Sequence, residues 1–184
     1  MSSSDKKFFA GFIVVCVICI VAVKLVFLGN TSKTSAVEKI IESYSNLEDI
    51  SVFAYSNKSE NKVCAFNYND VSGEEGIGLA ILRDNKRGTY EVEYIGYDTG
   101  IQEFVNPMAY VDKIPCAVIA VTDKSPAVLA EAKISYTESG AQRTIKSNIR
   151  PEEITFIVYD DEKMINAQKN IELYDRNGNI IEQK

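Results

Sequence analysis

The sequence predicts an α+β protein carried on one N-terminal transmembrane helix. Three observations lead there. Residues 8–23 carry no charge. Apolar residues then recur with helical spacing from Val37 to Tyr44, and from Ile50 onward apolar runs of strand length alternate with turn-forming residues. The expected organisation is a cytoplasmic tail at 1–7, a transmembrane helix at 8–29 and a linker at 30–34. A module of one helix plus a four-stranded antiparallel sheet follows at 35–97, and a β-rich, sandwich-like module at 107–184.

The first element is the apolar run. Fifteen of the 21 residues from Phe8 to Leu28 are Leu, Ile, Phe or Val. As a helix they reach roughly 31 Å, about the thickness of a bilayer's hydrocarbon core. On the insertion scale they favour the membrane by roughly 5–9 kcal/mol, against about 3 kcal/mol for a central Lys. Lys24 lies near the end, where its stem can lift the ammonium to the headgroups. Lys6 and Lys7 precede the run, so the positive-inside rule keeps the N-terminus in the cytoplasm. The sequence therefore predicts a single-pass cell-membrane protein with an extracytoplasmic C-terminal domain and the lipid bilayer as partner of residues 8–29. The competing reading is a cleaved signal peptide, with Thr34-Ser35-Ala36 as the small-residue site. The run exceeds the usual 7–15 apolar residues of such a signal.

The helix of the first module starts at Ser35-Ala36-Val37-Glu38, a capping box in which Ser caps a backbone N–H and Glu reaches back. Val37, Ile40, Ile41 and Tyr44 form its apolar face, and it ends near Tyr44 to Asn46. Strands are expected at Ile50–Tyr55, Lys62–Tyr68, Ile77–Arg83 and Thr89–Tyr97, joined pairwise as hairpins. In the last, Tyr90, Val92 and Tyr94 share one face and Thr89, Glu91 and Glu93 the other. Gly76-Ile77-Gly78-Leu79-Ala80-Ile81-Leu82 is apolar on both faces, which places it centrally. Asp98 to Pro107 reads as a loop between modules. Further strands are expected at Cys116–Thr122 and Ile154–Tyr159. Ser125 to Tyr136 has a helix-like Ser-Pro start but alternating apolar residues, and reads as strand. Ile171–Asp175 and Asn179–Glu182 flank Asn177-Gly178, a hairpin signal because both residues tolerate positive φ.

The order of helix, hairpin, Gly76-Ile77-Gly78-Leu79-Ala80-Ile81-Leu82 and the terminal Glu172-Leu173-Tyr174-Asp175-Arg176-Asn177-Gly178-Asn179-Ile180-Ile181 resembles small uncharacterised membrane-anchored extracytoplasmic proteins of Gram-positive bacteria. The resemblance covers residues 35–184. It implies an architecture and no active site.

Charge and composition exclude more than they assign. The chain has 20 Lys and Arg and 26 Asp and Glu; without Lys6, Lys7, Lys24 and Asp5, residues 30–184 carry 17 against 25, a net −8. An acidic domain repels phosphate backbones, so nucleic acid is not an expected partner. Histidine is absent, which removes Ser-His-Asp and Cys-His catalysis and His-ligated zinc. Cys64 and Cys116 allow either a disulfide or two buried thiols packing as small hydrophobes.

Four constellations invite a functional reading. Asp160-Asp161-Glu162 could gather a divalent cation, but consecutive acids point in different directions and suit a solvated turn. Asp175, Asn177 and Asn179 alternate as in a calcium loop, yet the closing Glu of its 12 positions would fall past Lys184. Glu74-Glu75 could supply half of a hydrolytic carboxylate pair, which requires two acids roughly 5–10 Å apart. Tyr90, Tyr94, Tyr97, Tyr110, Tyr136, Tyr159 and Tyr174 could form a stacking surface or simply pack in sheets. No catalytic, cofactor-binding or metal-binding residue is assigned, and no cofactor is expected. The expected function is a non-catalytic recognition or assembly module with an envelope or membrane protein as partner. The alternatives are a carboxylate hydrolase acting on cell-envelope polymers and a structural subunit of a membrane complex.

Overall fold

The computed structural model describes residues 36–45, 47–58, 60–85, 89–137 and 139–182. The chain divides into two compact units, Met1–Lys39 and Ile40–Lys184. Of the described residues, 60% are strand and 11% helix. The expected α+β class is therefore corrected to a mostly β protein of antiparallel sheets. Residues 36–45 form a helix (α1) in which Val37 and Ile41 are fully buried while Tyr44 stands exposed. Ser35 of the expected capping box lies outside the described residues.

The tail at 1–7, the transmembrane helix at 8–29 and the linker at 30–34 also lie outside the described residues. Among the described residues, no helix is long and apolar enough to cross a membrane. The ten helical residues of α1 reach about 15 Å, half a hydrocarbon core, and they include Glu38, Lys39 and Glu42. The single-pass, cell-membrane localisation and the extracytoplasmic placement of the C-terminal domain are corrected accordingly. What the structure supports is a β-rich unit.

Three sheets build that unit. β1 (Glu48–Asn57), β2 (Asn61–Asn69), β3 (Glu75–Asp84) and β4 (Tyr90–Thr99) form a meander in that order. β5 (Glu103–Val111), β6 (Ile114–Val121) and β9 (Ile154–Val158) form the second sheet. β7 (Leu129–Ser135), β8 (Gln142–Asn148), β10 (Gln168–Tyr174) and β11 (Ile180–Ile181) form the third, ordered β11-β10-β7-β8. Every pairing is antiparallel.

The second sheet is the middle layer. Alternate side chains of a strand point to opposite faces. Ala117, Ile119 and Val121 enter one core, with Ala130, Ala132, Ile134, Met164 and Leu173. Cys116, Val118 and Ala120 enter the other, with Val63, Ala65, Ile77, Leu79 and Ile81. Burial on both faces is why the β6 sequence is an unbroken apolar run.

β3 is apolar on both faces for a different reason. Ile77, Leu79 and Ile81 face the middle layer. On the reverse face the Phe66 and Tyr68 rings lie over Gly78 and Gly76, where a Cβ would overlap them. Tyr68 also meets Tyr97 edge-on, ring centroids 5.5 Å apart, and its hydroxyl shares a 2.7 Å hydrogen bond with that of Thr99.

Several expectations change. Asp98 to Pro107 is not a divider: from Glu103 it is β5. Pro107 is tolerated because β5 is an edge strand with a register shift between Asn106 and Ala109. The carbonyl of Pro107 accepts the Tyr159 hydroxyl at 2.6 Å. In β4 a bulge between Val92 and Tyr94 breaks the expected alternation. Tyr90 and Val92 share the face of Leu82, while Tyr94 pairs with Ile81 and packs into the core. The Asn177-Gly178 turn is not a double positive-φ turn. Only Gly178 is left-handed, at φ +82°, after a turn in which its N–H donates to the Asp175 carbonyl at 3.1 Å. Asp70-Val71-Ser72-Gly73 repeats that geometry, with Gly73 also at +82° and a 2.9 Å bond to the Asp70 carbonyl.

Candidate recognition surface

Loops at one end of the first two sheets enclose a polar cleft of about 250 Å³. Asp49, Asn67, Glu75, Gln102, Asp123 and Lys124 are among its lining residues. Its cation is spoken for: Lys124 Nζ lies 2.8 Å from Glu75 Oε2. Both side chains are largely exposed, so solvent screens the pair and it adds little to stability. It nevertheless holds Glu75 below the ordinary carboxylate range and Lys124 above the ordinary amine range. Thr122 Oγ1 donates to Gln102 Oε1 at 2.6 Å. Next to the cleft, Asp70 Oδ1 accepts from the N–H groups of Ser72 and Glu74 and from the Ser72 hydroxyl. These donors pull the Asp70 carboxyl down as well.

The other acidic candidates are structural. Glu75 lines the cleft, and Glu74, one residue earlier in extended chain, points elsewhere. Asp160-Asp161-Glu162 is not a plain solvated turn. Asp161 caps a short helix (α2, Glu162–Asn166), its Oδ1 accepting the Lys163 N–H at 2.9 Å. Asp175 Oδ1 accepts the N–H groups of Asn177 and Asn179, each at 2.8 Å, which closes the β10–β11 hairpin. No group of three or more potential ligands that could hold a metal ion occurs among the described residues.

The tyrosines do not form one platform. Tyr159 is buried, its hydroxyl pushed up to about 12 by burial and by nearby Cys116. Tyr136 packs against the core of the third sheet and Tyr94 against that of the first. The Tyr174 hydroxyl donates to Glu172 Oε2 at 2.5 Å. Tyr90 and Tyr55 flank the Lys62 ammonium. Tyr97 and Tyr110 remain about half exposed. Cys64 and Cys116 are free buried thiols, raised to about 12 and about 11 by burial. Lys62 and Lys58 oppose the two shifts.

Two features were missed in the sequence. The first is a brace between the β1–β2 and β5–β6 hairpins. Asp112 Oδ1 accepts the N–H groups of Glu60 and Asn61 at 2.9 and 3.0 Å. Asn61 Oδ1 accepts the Asp112 N–H at 2.6 Å, and its Nδ2 donates to Glu93 at 2.8 Å. Asp112 and Lys113 both hold positive φ, 52° and 67°, making a two-residue primed turn without glycine. The missing Asp-Gly or Asn-Gly signature hid this hairpin.

The second is the outer edge of β4. Among the described residues, no strand pairs with it. Beside it runs a groove of about 510 Å³ between β4 and β5, lined by Glu91, Glu93, Tyr94, Met108 and Tyr110 among others. An unpaired edge presents a row of backbone donors and acceptors. β5 blunts its own edge with a bulge and Pro107, whereas β4 runs ten residues without proline. Compared with known proteins, the chain matches no protein family, no curated protein and no solved structure.

Proposed function

We propose that this chain is a non-catalytic recognition or assembly module that binds a protein partner. The observation that carries the reading is the ten-residue edge of β4, unpaired among the described residues, beside a groove with both apolar and acidic walls. Backbone groups on an open edge supply affinity, and flanking side chains supply selectivity. The net negative charge argues against a nucleic-acid partner.

The carboxylate-hydrolase alternative draws less support. It needs one carboxyl held protonated near an ionised one. In the polar cleft, Lys124 holds Glu75 ionised instead.

The test is site-specific photo-cross-linking of the full chain in its native cells. A photo-reactive amino acid replaces Tyr110 in the groove or, as control, exposed Ile180 on β11. A discrete protein adduct from position 110 that position 180 does not give is the expected result. Identical adducts from both positions, or none from position 110, would overturn the reading.

A further inference from the structure

The register of β4 identifies which of its backbone groups point away from β3. The Gly100 N–H donates to the Glu75 carbonyl at 3.0 Å, so Glu75 and Gly100 form a hydrogen-bonded pair. Bonded and non-bonded pairs alternate in an antiparallel ladder. Gly76 opposite Thr99, Gly78 opposite Tyr97 and Ala80 opposite Ile95 are thus non-bonded pairs. Thr99, Tyr97 and Ile95 direct their N–H and C=O away from β3, although the Thr99 N–H is taken by Asp98 Oδ1 at 2.8 Å. Beyond the bulge, the Asn85 N–H donates to the Thr89 carbonyl at 3.1 Å. By the same alternation Tyr90, opposite Asp84, and Val92, opposite Leu82, also face outward.

Side-chain parity follows. The outward-bonding residues Tyr90, Val92, Ile95, Tyr97 and Thr99 lie on one face of β4, and four of the five are aromatic or aliphatic. The opposite face carries Glu91 and Asp98, with Glu93 at the bulge and the acidic groove alongside. β4 contains no Lys or Arg. Arg83 on neighbouring β3 is ion-paired with Glu93.

We infer that the β4 edge accepts an extended peptide strand whose residues alternate between apolar and Lys or Arg. The apolar side chains of that strand lie beside Val92, Ile95 and Tyr97. Its cations lie beside Glu91 and Asp98, with their stems along the groove, while Glu93 keeps its own partners Arg83 and Asn61. Pairing β4 with a second copy of this chain would set like charges against one another, which is unfavourable. The occupant is therefore a basic strand from another protein. The inference rests on the recognition reading above and specifies the chemistry of its partner.

The test uses the full chain and the acetylated, amidated peptide Val-Lys-Val-Lys-Val-Lys-Val, with its Glu counterpart as control. Hydrogen exchange read at single residues reports where the peptide sits. With the Lys peptide, exchange at Tyr90, Val92, Ile95 and Tyr97 slows by at least about tenfold, while β1 amides are unchanged. The Glu peptide gives no protection. The double variant Glu91→Lys, Asp98→Lys weakens the Lys peptide by about tenfold and admits the Glu peptide, a reversal that misfolding cannot produce. Equal protection by both peptides, protection elsewhere than β4, or no protection by the Lys peptide would overturn the inference. If position 110 still cross-links a partner in cells while the Lys peptide fails, the basic strand is wrong and the recognition module stands. If cross-linking also fails, both fall.

Discussion

At the scale of single residues, burial and backbone angle decide what each side chain can do. Cys64 and Cys116 sit almost wholly buried, with thiols at about 12 and about 11. The nucleophile in alkylation is the thiolate. Iodoacetamide at pH 8 is therefore expected to leave both unmodified in the native unit and to label both in concentrated urea; mass spectrometry of tryptic peptides reads this directly. Lys113 carries a side chain at φ +67°. A left-handed residue other than glycine costs roughly 1–2 kcal/mol, partly offset by the greater unfolded-state entropy of glycine. Lys113→Gly should raise unfolding stability by about 0.5–1 kcal/mol, measured by urea titration. The two buried thiols were legible in the sequence, and the left-handed turn at Lys113 was not. Cys116 stood in a visibly apolar run, but nothing in Val111-Asp112-Lys113-Ile114 announces a primed turn.

At the scale of elements, what the sequence displayed was hydrophobic period, and what it hid was interruption of that period. Strands read at Ile50–Tyr55, Lys62–Tyr68 and Ile77–Arg83 correspond to β1, β2 and β3 because each is a mostly apolar run between turn-forming residues, although the register shifts within β1 leave no mark on its sequence. The one-residue bulge of β4 reverses the parity of everything after it. Tyr90, Val92 and Tyr94 look like one face on paper and fall on two in the sheet. β5 is hidden because Pro107 and the register shift between Asn106 and Ala109 interrupt its pattern, although an edge strand tolerates both. β8, from Gln142 to Asn148, gave no signal because its residues are largely exposed and polar. Packing between strands supplies two tests. Gly78→Ala places a methyl group into the Phe66 ring and 2.9 Å from the Gly96 carbonyl oxygen. It should destabilise by about 1–3 kcal/mol. Asn61→Ala removes the acceptor of the buried Asp112 N–H and a partner of Glu93. Leaving such a donor unsatisfied costs about 1–3 kcal/mol, and the unfolding midpoint should fall accordingly.

At the scale of the whole molecule, charge sets the pH range of stability. Asp70 and Asp175 are held below 3.8 by hydrogen bonds to their turns, and Glu75 and Glu172 below 4.5 by their lysines and, for Glu172, Tyr174. A depressed carboxyl stabilises the fold above its unfolded pKa and loses that contribution as pH falls through its folded pKa. Buried Cys64, Cys116 and Tyr159 act oppositely. Their folded values of about 12, 11 and 12 exceed 9.0, 9.0 and 10.0, so their contribution is complete below pH 9 and lost above it. Unfolding free energy should be nearly flat between about pH 4.5 and 9 and decline on both sides. A stability that rises steadily from pH 4 to pH 10 in urea titrations would contradict this.

The candidate surface was legible only in part. Glu91 and Glu93 were visible as acids on a strand, whereas Asp98 falls in the expected loop, and sequence alone does not say whether a strand is central or at an edge. Edge position depends on which strands come to lie beside it, and those contacts join residues far apart in the chain. By itself the sequence determined the antiparallel β character of residues 48–99, the excess of negative charge and the absence of histidine chemistry, because these depend on local period and composition. Only the tertiary structure decided that the second sheet is a middle layer shared by two cores, that β5 and β8 are strands, and that no strand among the described residues pairs with the outer edge of β4. Those outcomes depend on burial from both sides and on long-range pairing, which a local pattern does not encode.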